Sequence, residues 1–183
     1  MKIRNRQSVR KNRAKRMWSM LIAIGILLLL LILQTTRLPT LSVFSVVPNL
    51  SLVLCICFSL AQGRPAALVF SAFAGLLQEA LNGGAMGYNA LLYFMLSWIC
   101  VYLSDRWNTR SMLFTLPIVF FFTLVHACFY WGTMFFVWNE HGFGRFLLHH
   151  ILPSALYNTM TAPIFVFLVN KLCFMEASGR DLV

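Results

Sequence analysis

Charged residues are scarce in this sequence, and acids are the scarcest of them. Only 11% of the 183 residues are charged, and five are acids, whereas a soluble domain carries roughly 25% charged residues. Hydrophobic residues make up 60% of the chain, and its mean hydropathy is +0.76. These values exclude an ordinary soluble domain and predict an integral membrane protein. At about 20 residues for each span, the length allows five or six spans and no second domain.

Motifs of intramembrane enzymes are missing as well. The chain contains neither the His-Glu-x-x-His motif of a zinc protease nor the Gly-x-Ser-x-Gly elbow of a serine hydrolase. Its one cluster of histidines and an acid comprises Glu140, His141, His149 and His150. Adjacent histidines on a helix diverge, which favours an interfacial polar patch over a metal site. We therefore predict no enzymatic activity, no metal and no cofactor.

The cysteines show no pattern typical of a disulfide or a metal site. Cys55 and Cys57 are two residues apart, so on a helix their side chains point in different directions. We interpret all the cysteines as small core residues in preference to a redox role. All five lie in or at the ends of apolar runs: Cys55, Cys57, Cys100, Cys128 and Cys173.

Positive charge is concentrated at the N-terminus. The net charge is +10, and eight of the fifteen basic residues precede position 17. This distribution argues against nucleic-acid binding and predicts a cytoplasmic leader over residues 1–16 that contacts anionic lipid or a cytoplasmic partner. The residues expected to make this contact are Arg10, Lys11, Arg13, Lys15 and Arg16.

The apolar runs predict an all-α membrane domain over residues 17–172, followed by a short cytoplasmic tail over residues 173–183. With the N-terminus inside, thirteen basic residues fall in cytoplasmic segments and two, Arg37 and Arg145, fall outside. The positive-inside rule therefore predicts that both termini are cytoplasmic. Six spans are predicted, at residues 17–33, 48–61, 66–81, 86–103, 112–137 and 146–172.

One acid, Glu79, lies inside a predicted span. An ionisable side chain in a bilayer is costly unless it is paired or faces protein, so it marks a site of interest. Counting back in fours gives Gly75, Ser71 and Ala67, which share its helix face. Small residues let helices approach closely, so this face is predicted to pack against protein. Three roles stay open for Glu79: hydrogen bonding to neighbouring helices, docking of a partner or ligand, and proton relay. The first two are favoured.

Glycine and asparagine mark the ends of the predicted spans. Gly83, Gly84 and Gly87 are predicted to form the turn of a helical hairpin at the outer face. Asn49, preceded by Pro48, is predicted to satisfy free amides at the start of the second span.

A few other polar side chains lie within predicted spans. Asn89 and Asn158 are predicted to make hydrogen bonds between helices. His126 is interpreted as a packing histidine that approaches Glu79 or Asn158. None of these positions by itself indicates catalysis.

Two stretches of the sequence form an ordered set of motifs. The first is Pro48-Asn49-Leu50, and the second runs from Gly75 through Gln78-Glu79 and the glycines to Tyr93. In a six-span chain of this length, the set resembles the MreD family of rod shape-determining proteins over residues 48–110. The family usually has Asp at the position of Glu79. The resemblance implies structural or partner-binding roles for Pro48, Asn49, Gly75, Glu79, Gly83, Gly84, Gly87, Asn89 and Tyr93.

The resemblance implies a non-catalytic scaffold of the elongasome in the bacterial inner membrane. Family members partner the single-span MreC and work with the actin-like MreB, a glycosyltransferase and a transpeptidase on lateral peptidoglycan. The resemblance also implies contact with membrane lipids, and it leaves open whether the chain forms a homodimer. The family's fold is similar to the substrate-binding subunits of energy-coupling-factor transporters, so the alternative is a vitamin-type binding subunit. The outer loops show no dense polar cluster for such a ligand, which favours the scaffold.

Overall fold

The computed structural model describes residues 20–36, 47–62, 65–82, 87–106, 111–138 and 143–177, which contain helices and turns but no strand. The all-α prediction is confirmed for these residues, and each predicted span coincides with a helical segment to within a few residues. The basic leader, Gly83 and Gly84 lie outside the described residues. The helices are α1 Met20–Thr36, α2 Leu50–Gln62, α3 Pro65–Asn82, α4 Tyr88–Arg106, α5 Met112–Trp138, α6 Phe143–Phe146 and α7 Leu152–Ala177.

Helix α2 lies at the centre of the molecule. It contacts α3, α4, α5 and α7, and every residue from Leu50 to Leu60 is buried. A helix that is apolar on all sides is stable where water is excluded from it, and here neighbouring helices enclose it. Its 13 residues give a length of about 20 Å at 1.5 Å per residue. The 27-residue α5 and the 26-residue α7 are twice as long, so they extend beyond α2.

Helices α3 and α4 pack closely through small residues. Ala67, Ser71, Gly75 and Glu79 are all buried, so the face predicted from their spacing of four does pack against protein. That protein is α4 of the same chain. A Cβ atom on Gly75 would lie 2.5 Å from the Cα atom of Ala90, a distance that only glycine permits. Ser71 lies one turn before Gly75 on α3, and it accepts a hydrogen bond from Ser97 of α4.

The outward faces of the helices are apolar. Val69 on α3 is 72% exposed and Met160 on α7 is 77% exposed, which is unfavourable in water but suits a lipid environment. Met112–Thr133 and Leu147–Leu172 are long and apolar enough to cross a membrane, whereas Met20–Thr36 and Leu50–Gln62 are apolar but shorter. These features are those of a membrane protein. Six spans and cytoplasmic termini stay predictions.

The sixth predicted span has an irregular start that the sequence analysis did not anticipate. Residues Leu147–Ile151 form a π-helical turn, in which the amide of Leu152 donates to the carbonyl of Leu147, five residues back. Pro153 explains its position, because proline has no amide proton and its ring crowds the carbonyl four residues earlier. Widening the preceding turn relieves that crowding and places His149 and His150 on the wider turn.

Candidate functional site

Four polar side chains meet near the N-terminus of α2. They come from α2 itself, from the residues just before it, from α3 and from α4. The amide oxygen of Asn49 accepts hydrogen bonds from Ser51 at 2.8 Å and from Tyr93 at 2.9 Å. The amide oxygen of Gln78 accepts from the same two hydroxyls. Each hydroxyl carries a single proton, so at any moment it serves one of the two amides. This polar cluster joins three helices within a largely apolar core.

Asn49 also caps α2, as its position in the sequence predicted. Its side-chain oxygen accepts a hydrogen bond from the amide of Leu52 at 3.2 Å, which satisfies one of the free amides of the first turn. The backbone amide of Asn49 in turn donates to the side-chain oxygen of Asn158 at 2.8 Å. The side-chain nitrogen of Asn158 donates to Thr123 at 3.4 Å. Asn158 therefore links α7 to α2 and α5, in agreement with the predicted hydrogen bond between helices.

Glu79 caps α4 from the neighbouring helix. Its carboxylate accepts a hydrogen bond from the amide of Gly87 at 2.7 Å and another from the amide of Asn89. The first amides of a helix have no partner within the helix, and its N-terminus favours negative charge. Gly87 reaches this position with a φ of 96°, a conformation that favours glycine. Glu79 is 3% exposed, and its two bonds join the C-terminal part of α3 to the N-terminus of α4.

His126 contacts a residue that the sequence analysis did not pair with it. Its Nε2 atom lies 3.2 Å from the side-chain oxygen of Asn89, and because that oxygen only accepts, Nε2 donates. The histidine ring also packs against Tyr93, with 5.6 Å between ring centroids. His126 is thus linked to Glu79 through Asn89, rather than directly to Glu79 or Asn158.

A cavity of about 580 Å³ opens beside these groups at the N-terminal end of α2. It lies where the C-terminal ends of α1 and α3 meet the N-terminal ends of α2, α4 and α7. Because α2 has 13 residues and its neighbours α3, α4, α5 and α7 have 18 to 27, space is left between those neighbours at the end of α2. Pro48, Asn49, Gln78, Glu79, Asn89 and His126 are among the residues that line it.

The polar groups of this arrangement hydrogen-bond to one another and to the helix backbone. The carboxylate of Glu79 accepts backbone amides, and the hydroxyls of Ser51 and Tyr93 donate to amide oxygens. Neither hydroxyl is hydrogen-bonded to a general base in the described part of the chain. No group of three His, Cys, Asp or Glu residues that could hold a metal occurs within the described residues.

The predicted site residues divide into three groups. Pro48, Asn49, Glu79 and Asn89 line the cavity, and Tyr93 belongs to the polar cluster beside it. Gly75 forms the close contact with α4, and Gly87 forms the turn. The remaining residues lie outside the described ranges: Gly83, Gly84, Arg10, Lys11, Arg13, Lys15 and Arg16.

Several lining residues were missed by the sequence analysis. Gln34 and Gln78 line the cavity, as do Tyr130 and Ser154. Gln78 gave a usable signal, because an amide inside an apolar run of a membrane helix needs a partner. Tyr130 gave no such signal in the sequence, because aromatic residues are common at the ends of membrane helices.

Comparison with known proteins places this chain with one family. A family model described as rod shape-determining protein MreD matches residues 14–175, which include all the described residues except the last two. No curated protein matches the chain, and no solved structure matches it.

Proposed function

The chain belongs to the MreD family of rod shape-determining proteins, and from this membership we propose that it is a non-catalytic membrane scaffold of the bacterial elongasome. The observation that carries the proposal is the family match over residues 14–175. It agrees with the family resemblance of the motifs around Pro48 and Glu79. In this role the chain organises lateral peptidoglycan synthesis and thereby maintains the rod shape of the cell.

The packing of the described helices supports a scaffold. Asn49, Glu79 and Asn158 each join separate helices through hydrogen bonds. Hydrogen bonds between helices contribute to the association of helices within a bilayer. A rigid bundle with a fixed outer surface is what a scaffold requires. The vitamin-transporter alternative has no support, because the matching family is a shape-determining one.

The proposed direct partner is the single-span MreC, within a complex that also contains MreB, a glycosyltransferase and a transpeptidase. The small-residue face of α3 is occupied by α4. The span of a partner would therefore pack against one of the apolar outward faces, such as that of α7, where Met160 and Ile164 are exposed. The complex would lie in the inner membrane.

Affinity purification tests the partnership. The full chain, carrying a tag and expressed at its natural level in its own cells, is extracted in mild detergent, and co-purifying proteins are identified by mass spectrometry. MreC should be enriched over a control purification of an unrelated multi-span protein with the same tag. Equal recovery of MreC in both purifications, from folded chain, would contradict the proposal.

We also propose that both termini are cytoplasmic and that the basic leader binds anionic lipid. The bias of thirteen basic residues to two supports this orientation. A cysteine introduced at Gly84 should react with a membrane-impermeant reagent in intact cells, and protection until the cells are lysed would contradict the orientation. Replacing Arg10, Lys11, Arg13, Lys15 and Arg16 with Gln should alter insertion or partner recruitment, and unchanged behaviour would show the leader to be dispensable.

A further inference from the structure

The cavity beside Glu79 reaches the surface of the protein. Asn82, Tyr130 and His150 are among its lining residues, and all three are exposed. Its volume of about 580 Å³ falls in the range of about 300–1,000 Å³ that is usual for small-molecule sites. The cavity is therefore large enough, and accessible enough, to hold a ligand that enters from this end of the bundle.

The charge of the cavity favours a cation. Among the described residues that line it, Glu79 is the only acid and none is Lys or Arg. Each carboxylate oxygen of Glu79 accepts one backbone amide, while a carboxylate has about four lone-pair positions in total. A buried carboxylate is stabilised by an opposite charge. An anionic group in the position next to the Glu79 carboxylate would be repelled.

A second polar side chain, Gln34, lines the same space. The side-chain nitrogen of Gln34 donates to the carbonyl oxygen of Pro48 at 2.9 Å. The Oε1 atom of Gln34 is buried and has no hydrogen-bond partner among the described residues. Buried polar atoms in native proteins are nearly always hydrogen-bonded. A ligand with N–H or O–H donors would reach this atom after a rotation of the Gln34 side chain, since the atom itself has almost no exposed surface.

Aromatic rings complete the lining. Tyr130, Phe146 and His150 all border the cavity, and the rings of Phe146 and His150 stack with 4.9 Å between their centroids. The face of an aromatic ring attracts ammonium groups, and rings of this kind build the sites that recognise organic cations. A carboxylate and aromatic rings in one cavity together define one chemical class of ligand.

We propose that this cavity binds an organic ammonium group, with Glu79 as its counter-ion and Tyr130 as an aromatic contact. The group is supplied either by an aminophospholipid headgroup or by a soluble amine. The proposal goes beyond the scaffold function and does not depend on which proteins the chain contacts.

Binding is measured on the full chain in nanodiscs. One arm compares phosphatidylglycerol nanodiscs with and without phosphatidylethanolamine and counts the retained aminophospholipid by native mass spectrometry. The other arm adds ethanolamine to the chain in phosphatidylglycerol nanodiscs and follows the unfolding temperature. Retention in the first arm alone identifies the lipid headgroup, and an upward shift in the second identifies a soluble amine.

Two pairs of variants show whether a signal comes from the cavity. Glu79→Gln removes the carboxylate and is compared with Asp105→Asn, which removes an exposed acid at the other end of α4. Binding should fall at least about tenfold in the first variant and stay unchanged in the second. Tyr130→Leu should weaken binding about threefold, whereas Phe129→Leu, at an exposed position that does not line the cavity, should leave it unchanged.

The outcomes are decisive. Binding in either arm that is lost in Glu79→Gln and reduced in Tyr130→Leu supports the site. If Glu79→Gln fails to fold, the comparison of Tyr130→Leu with Phe129→Leu decides in its place. No binding in either arm, or equal binding by each variant and its control, overturns the proposal.

Discussion

The α3–α4 pair is built differently in its middle and at the end where Glu79 lies. Towards the middle of the pair, Ser71 and Gly75 touch Ser97 and Ala90 with no space between the backbones, and we name these four residues the seam. Only one turn beyond Gly75, the same helix face carries Glu79, which lines a cavity of about 580 Å³. Small side chains let the two helices touch at the seam. At the end beside the cavity, the Glu79 side chain instead connects α3 to the start of α4 by hydrogen bonds. The contrast separates the part that sets the helix distance from the part that is available to a ligand.

The largest expected effect is on the seam. Gly75→Leu places a Cβ atom 2.5 Å from the Cα atom of Ala90, and backbone cannot move aside as a flexible side chain can. We expect the free energy of unfolding to fall by about 3 kcal/mol or more. Gly25→Leu is the matched control, because no atom lies within 4 Å of a Cβ atom there. Thermal unfolding in mild detergent measures both, and equal losses would show that the seam is not tightly packed.

The contribution of the Glu79 carboxylate beside the cavity is tested by removing it. Glu79→Leu leaves the amides of Gly87 and Asn89 without their acceptor, and we expect a loss of about 3 kcal/mol in unfolding free energy. Glu79→Gln keeps one acceptor oxygen, so about half of that loss is expected. Asp105→Asn serves as the control for charge. A Glu79→Leu protein as stable as the parent would show that the carboxylate does not hold the turn.

A smaller effect is expected at the turn itself. Gly87→Ala adds a methyl group where no atom lies within 4 Å, but φ is +96°. The loss, about 1–2 kcal/mol, should therefore come from backbone strain alone. Gly144→Ala meets open space as well and has no such φ, so its unfolding temperature should not fall. Equal shifts in the two variants would contradict the role of the turn conformation.

The smallest effect distinguishes a hydrogen bond from close packing within the seam. Ser71→Ala or Ser97→Ala leaves one buried hydroxyl without its partner, at a cost of about 1 kcal/mol each. The double variant removes both hydroxyls and should be less destabilised than the sum of the two. A double-mutant cycle on unfolding free energies gives the coupling, and strict additivity would show that this bond contributes nothing.

Local sequence patterns predicted the contacts that depend on local spacing. The spacing of four identified the buried face from Ala67 to Glu79, and an asparagine ahead of an apolar run identified the cap at Asn49. Both follow from helix geometry, which repeats every few residues.

Contacts between distant residues could not be predicted in the same way. Ser51, Gln78 and Tyr93 meet across separations of 15 to 42 residues, and their meeting depends on how three helices pack. The cavity follows from α2 being short between longer neighbours, which is a property of the whole bundle. His126 was expected to approach Glu79 or Asn158; it lines the same cavity as Glu79, but its hydrogen bond is to Asn89.

The most direct test of the proposed function is cell width after the chain is removed. In the organism that produces it, the gene is depleted while a plasmid supplies either the full chain or its Gly75→Leu variant, and cell dimensions are measured by microscopy. The account predicts that depleted cells widen and become round, that the full chain restores rods, and that Gly75→Leu does not. Rods of unchanged width after depletion would contradict it.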